Sequence, residues 1–100
     1  MDLRKLKGYL GLASRAGKLT FGAELACQLV RDRKARIVLI DSSSSDNTKK
    51  KVTDACRTCG VPFEMLEPGF IAASCGKPNV MVTALSGGSL CEAVIEAVRS

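Results

Sequence analysis

The chain has 100 residues, 46% of them hydrophobic, with 15 Lys plus Arg against 10 Asp plus Glu for a formal net charge of +5. That size and composition suit one packed domain, 1–100, with no tail. No apolar run approaches the roughly 18 residues of a membrane span and the first residues are charged rather than signal-like, so a cytoplasmic protein is expected, with no membrane partner.

Leu3, Leu6, Leu10 and Ala13 share one face of a helix that starts near Asp2 as its cap. Gly17 stops it, while Gly8 and Gly11, each costing about 1 kcal/mol relative to Ala in a helix, predict another backbone packed closely there. Leu19 to Phe21 is too short to assign alone but is compatible with a short strand. A second helix begins at about Gly22, carries Leu25, Ala26, Leu29 and Val30 as its apolar stripe, and closes with Arg31, Arg33 and Lys34 at the negative end of its dipole. Ile37 to Ile40 reads as a strand buried on both faces that ends at Asp41. Ser42 to Ser45 supplies a loop, with Ser45, Asp46 or Asn47 capping a third helix whose inner face is Val52, Ala55, Cys56 and Cys59 and whose stop is Gly60. Val61 to Leu66 is a strand in which Pro62 demands the first position or an edge. Pro68 suits the first turn of a short helix running to about Cys75, Lys77 to Asn79 is a turn, and Val80 to Leu85 is a strand. Ser89 to Glu92 has the S-x-x-E spacing of a capping box ahead of a last helix with Leu90, Val94, Ala97 and Val98 inward. Helices and strands alternate with short connections, so the fold class is α/β, with a central sheet of about four strands between two helical layers.

Catalysis has little to stand on in this chain. Histidine is absent, the carboxylates are scattered among the elements, and no nucleophile has a base at a readable spacing, so no enzyme is expected. Five cysteines form an odd count in apolar surroundings and read as reduced, buried thiols. Cys56 and Cys59 have C-x-x-C spacing, but no second pair or His completes a zinc site, and both fall on an apolar stripe. No metal, cofactor or small-molecule substrate is expected. Gly11-x5-Gly17-Lys18 fails as a nucleotide phosphate loop because the spacing is one residue too long and Leu19 stands where a hydroxyl must reach magnesium.

Anion binding is better supported. Residues 1–36 hold nine basic groups against three acidic ones, an uneven footprint of the kind a polyanion requires. Within them a glycine turn with Arg15 and Lys18 leads into the start of the second helix, where unpaired N–H groups attract phosphate. Tyr9, three phenylalanines and no Trp argue against binding by extensive base stacking. Lys49, Lys50 and Lys51 are spread around a helix and cannot all face one ligand.

The runs Leu12-Ala-Ser-Arg-Ala-Gly-Lys18, Gly22-x-Glu24-Leu25, Lys34-Ala-Arg-Ile-Val-Leu39, Asn47-Thr-Lys-Lys-Lys51 and Ile71-Ala-Ala-Ser-Cys-Gly-Lys77 together cover nearly the whole chain. In them the sequence resembles the kink-turn RNA-binding ribosomal proteins of the L-seven-Ae type, in their bacterial YlxQ-like branch. The resemblance implies a three-layer α/β/α sandwich around a mixed four-stranded sheet. It also implies binding of sharply bent RNA by the N-terminus of the second helix and a nearby loop. Carried over by position, the RNA-binding residues are Gly22, Ala23, Glu24, Leu25 and Gln28 on the helix and Lys77, Pro78 and Asn79 in the loop, with Arg15 and Lys18 flanking. Kink-turn-reading branches carry Gly-x-Asn-Glu-x-x-Lys in that helix; here Glu24, Leu25 and Gln28 replace the three polar residues, and Leu25 has no hydrogen bond to offer a base. The expectation is therefore a monomeric, non-catalytic binder of structured RNA, ribosomal or kink-turn-like. The alternative is a protein-interaction module of the same fold that has lost kink-turn recognition.

Overall fold

Asp2 stands ahead of an amphipathic run and accepts a hydrogen bond from the Lys5 N–H, so helix α1 spans Leu3–Arg15 with Leu6, Leu10 and Ala13 fully buried. In this computed structural model, which describes residues 1–100, there follow β1 (Leu19–Phe21), α2 (Ala23–Arg31), β2 (Ile37–Asp41), α3 (Asp46–Cys59), β3 (Phe63–Leu66), α4 (Phe70–Cys75), β4 (Val82–Leu85) and α5 (Ser89–Arg99). The strands make one mixed sheet in the order β1-β4-β2-β3, in which β2 and β3 are parallel and the other pairs antiparallel. Side chains alternate across a strand, and β2 shows the consequence. Ile37 and Leu39 join the core beneath α1, α4 and α5, while Val38 and Ile40 join the core beneath α2 and α3. The α/β class and the three-layer sandwich are thus both present. No helix is long and apolar enough to cross a membrane.

Local differences from the sequence reading have identifiable causes. A Cβ on Gly11 would lie 3.2 Å from the Ser74 carbonyl oxygen, so the close backbone approach is that of α4 on α1; Gly8 faces open space and has no such role. Leu25 leaves the apolar stripe of α2 and is 59% exposed, because Ala26, Cys27 and Val30 occupy the buried face instead. Pro62 precedes β3, which is an edge strand, and β4 begins only at Val82. Pro68 lies before Gly69, the cap of α4, and so outside its first turn. The capping box at Ser89 does not form: Gly88 holds the cap position, and Glu92 instead pairs with Arg36 at 2.8 Å.

Asp41 closes β2 and ties its end to two loops. It is buried, and its carboxylate accepts hydrogen bonds from the Ser43 N–H at 2.7 Å and the Gly69 N–H at 2.9 Å. Burial opposes its ionisation, but the hydrogen bonds from Ser43 and Gly69 and the nearby Lys49 charge outweigh it and hold its pKa below the usual range. A carboxyl shifted downward stabilises the fold above its unfolded pKa of about 3.9 and loses that contribution as pH falls through its folded value. Asp41→Asn should therefore cost about 1–3 kcal/mol at neutral pH. Urea melts as a function of pH check this, since the gap between the two proteins should close on acidification below about pH 4.

Candidate nucleic-acid interface

The short β1 ends in Gly22, whose φ of 99° is closed to L side chains and turns the chain directly from strand into helix. The Gly22 N–H donates to the Val82 carbonyl at 2.9 Å, and its own carbonyl accepts from Ala26 at 3.0 Å. Gly22 has no side chain to cap the helix, so the N–H groups of Ala23, Glu24 and Leu25 have no partner within the protein. The amide of Gly22, by contrast, is already used.

Antiparallel pairing of β1 with β4 and of β4 with β2 sets the neighbours of this helix end. It shares one end of the sheet with the start of α3, which Ser45 caps by accepting from the Thr48 N–H at 3.2 Å. A cleft of about 370 Å³ lies there, lined by Phe21, Gly22, Ala23, Thr48, Asn79 and the residues leading into β4. A second, of about 450 Å³, continues over Ala23, Glu24, Asn47, Thr48 and Lys51. Two helix N-termini beside open clefts make an acceptor for anions.

Glu24 would weaken such a site, but its carboxylate forms an ion pair with the Lys51 ammonium from α3. Lys50 pairs with Asp54 at 3.4 Å, and Lys49 lies near Asp41, so the lysine triplet does point in separate directions. From the other side, Lys77 places its ammonium 5.1 Å from the centre of the Phe21 ring, a cation–π contact that holds the 77–79 loop against the end of β1. Asn79 has a φ of 64°, and Pro78 is exposed between them.

Gly22, Ala23, Glu24, Lys77 and Asn79 therefore come together, and Leu25 follows on the exposed side of the first turn. Gln28 does not join them: its amide donates to both oxygens of Asp32, at 3.2 and 3.1 Å, one turn farther along α2. Arg15 is exposed at the end of α1, next to Ser14, whose hydroxyl donates to the Cys75 carbonyl at 3.3 Å just before the loop. Lys18 is displaced most. It precedes β1 while Gly22 follows it, so the strand holds the two roughly 13 Å apart. Lys18 instead lines a cleft with Gly87, Gly88, Ser89 and Leu90 at the opposite end of the sheet. Thr48 was not anticipated as a lining residue. Its position three residues after the Ser45 cap marks it as part of a helix start, but nothing local says that this start meets α2.

The cysteines have a different character. Cys27, Cys56 and Cys91 are buried, and all five are free thiols. Burial, then the neighbouring Cys27 and Cys59, push Cys56 up to about 11, so it holds no thiolate at neutral pH. Native-state alkylation should accordingly leave Cys56 unlabelled until the protein unfolds, as read by mass spectrometry. No group of three or more Cys, Asp or Glu side chains is placed to hold a metal ion.

The chain is 40% identical over 86 residues to the RNA-binding protein YlxQ of Enterococcus faecium, covering 85% of this chain and 84% of that one. It is 38% identical over 78 residues to the RNA-binding protein YlxQ of Bacillus subtilis (strain 168), covering 77% and 78%. Among solved structures, a protein with unknown function from Bacillus halodurans C superposes with a TM-score of 0.86 at 23% identity, over 95% of this chain and 97% of the other. The Giardia lamblia 15.5kD RNA binding protein superposes with a TM-score of 0.78 at 21% identity, over 99% and 87%. These two likenesses concern the fold. The sequence model of the ribosomal protein L7Ae/L30e/S12e/Gadd45 family matches residues 4–94, and with its YlxQ relatives this places the chain in that family, in the YlxQ-like branch.

Proposed function

We propose that this protein binds structured RNA, ribosomal or kink-turn-like, as a non-catalytic cytoplasmic monomer, through the N-terminus of α2 and the 77–79 loop. The observation that carries this reading is the run of three unpaired N–H groups at Ala23, Glu24 and Leu25, opening on a cleft that Asn79 closes from the loop side. A backbone phosphate at the helix end would accept from those amides and sit at the positive pole of the α2 dipole. Lys77 would lie alongside. Phosphate contacts of this kind position the RNA and supply most of the affinity. Base reading would be limited, because Leu25 presents only carbon and the Gln28 amide is engaged by Asp32. The names of the two YlxQ relatives, both RNA-binding proteins, support the same assignment.

The test compares a kink-turn RNA with an unbent duplex of equal length by fluorescence anisotropy across a salt series. The bent RNA should bind more tightly at every salt concentration. No binding of structured RNA at low salt would overturn the proposal. A second reading, a protein-interaction module, is favoured by the 59% exposure of Leu25. Partners that persist through nuclease treatment, and are lost with Leu25→Ser, would support it instead.

A further inference from the structure

The end of the sheet opposite the α2 N-terminus concentrates positive charge. In register, Leu19 and Ile37 both stand beside Leu85. One residue earlier on each strand beside β4, Lys18 and Arg36 therefore flank the exit of β4 at about 10 Å from each other, given a strand spacing near 4.8 Å. The chain segments at this end, residues 15–18, 31–36 and 86–92, hold six basic residues against two acidic ones, most of the net charge of +5. Both acids are engaged, Glu92 by Arg36 and Asp32 by Gln28. Arg15, Lys18, Arg31, Arg33 and Lys34 are exposed and form no ion pair. At the other end of the sheet Lys50 and Lys51 are paired with acids, while Lys49 lies near Asp41 and Lys77 on the Phe21 ring.

Arg33 adds an independent observation. After α2, the Lys34 N–H donates to the Leu29 carbonyl at 2.9 Å and the Arg33 N–H to the Val30 carbonyl at 3.1 Å, the bond pattern of a Schellman cap. That motif places Arg33 at a φ of 62°, a position where glycine is the usual residue and an L side chain is strained. A large cation therefore occupies a site that backbone energetics reserve for glycine, and it stands out into solvent beside Lys34. Positions that break a local rule without local compensation are where function is to be sought.

We infer that this end, with Lys18, Arg33 and Lys34 as its cations, is a second binding surface for the phosphate backbone of an RNA duplex. The identity of the polymer rests on the RNA-binding reading above; the surface is separate from that site. Spaced cations without an exposed apolar centre suit a charged backbone rather than a protein partner, whose interface would need a hydrophobic core. Lys18 also shares a cleft of about 240 Å³ with Gly87, Gly88 and Ser89, which leaves room for a phosphate to approach the chain. The protein would thus grip structured RNA at two ends of one sheet and bridge two of its segments.

The experiment uses the full chain and an unbulged RNA duplex of about 20 base pairs, read by anisotropy from about 50 to 200 mM salt. Lys18→Gln with Arg33→Gly and Lys34→Gln should weaken duplex binding about tenfold and reduce the slope of log K against log salt by about 2–3, near 0.9 for each lost phosphate contact. Lys50→Gln, which removes a cation already paired with Asp54 at the other end, should leave duplex binding unchanged. Arg33→Gly alone should raise Tm by about 4 °C while weakening duplex binding, a pairing of signs that a purely structural role would not produce. The inference is overturned if the triple variant binds the duplex as the natural chain does, or if Lys50→Gln weakens duplex binding as much as the triple variant does. Failure of the α2 site would show separately, as kink-turn RNA binding that is indifferent to Ala23→Asp.

Discussion

Leu39→Ala is expected to lower Tm by about 10–25 °C, a loss of about 2–5 kcal/mol from the 5–15 kcal/mol that a domain of this size possesses. Leu39 lies in β2, hydrogen-bonded into the sheet between β4 and β3, and is fully buried in the cluster shared by α1, α4 and α5. Shortening it removes contacts with several elements at once and leaves a cavity that strand pairing on both sides prevents from collapsing. Leu25→Ala makes the control. That side chain is 59% exposed, so its truncation should change stability by less than about 0.5 kcal/mol. Chemical denaturation of the two variants checks both expectations, and equal losses would show that the core is not organised around β2.

Ala23→Asp should weaken binding of a kink-turn RNA by about 30-fold or more, close to 2 kcal/mol, with stability unchanged or slightly raised. Ala23 is the first residue of α2 and contributes one of its three unpaired N–H groups. A carboxylate at that position favours the helix, because it faces the positive end of the dipole and can accept from the free amides. The same charge would stand where the RNA phosphate is proposed to bind. Stability and affinity thus move independently, which separates loss of the site from loss of the fold. Anisotropy with kink-turn RNA beside a thermal melt gives both readings. Undiminished binding would exclude the α2 N-terminus as the contact.

Much of the architecture was legible locally. Asp2 as a cap, Gly60 as a stop, Ile37 to Ile40 as a doubly buried strand, and the alternation of helix and strand all follow from short-range patterns that the structure reproduces, and of the three candidate caps of α3 the structure uses Ser45. Errors arose where two local signals competed or where a neighbour intervened. Leu25 and Cys27 both fit a helical stripe, and the packing of α2 on α3 selected Cys27 for burial. Ser89 and Glu92 have capping-box spacing, but Arg36 from another element took the glutamate. The charge of Glu24, which opposes an anion at the α2 N-terminus, is offset by Lys51 from α3.

The stretch from Arg15 to Glu24 shows where the division lies. Its sequence alone determined a helix end, a basic turn, a short extended link and the start of a second helix, because dihedral preferences, capping and hydrophobic period act within a few residues. Nearness in that sequence suggested one site containing both Lys18 and Gly22. Only the tertiary structure decided otherwise: β1 is extended, and its pairing with β4 sends Lys18 to one end of the sheet and Gly22 to the other. Which ends meet depends on strand order and direction, set by burial across the whole sheet and carried by no single segment.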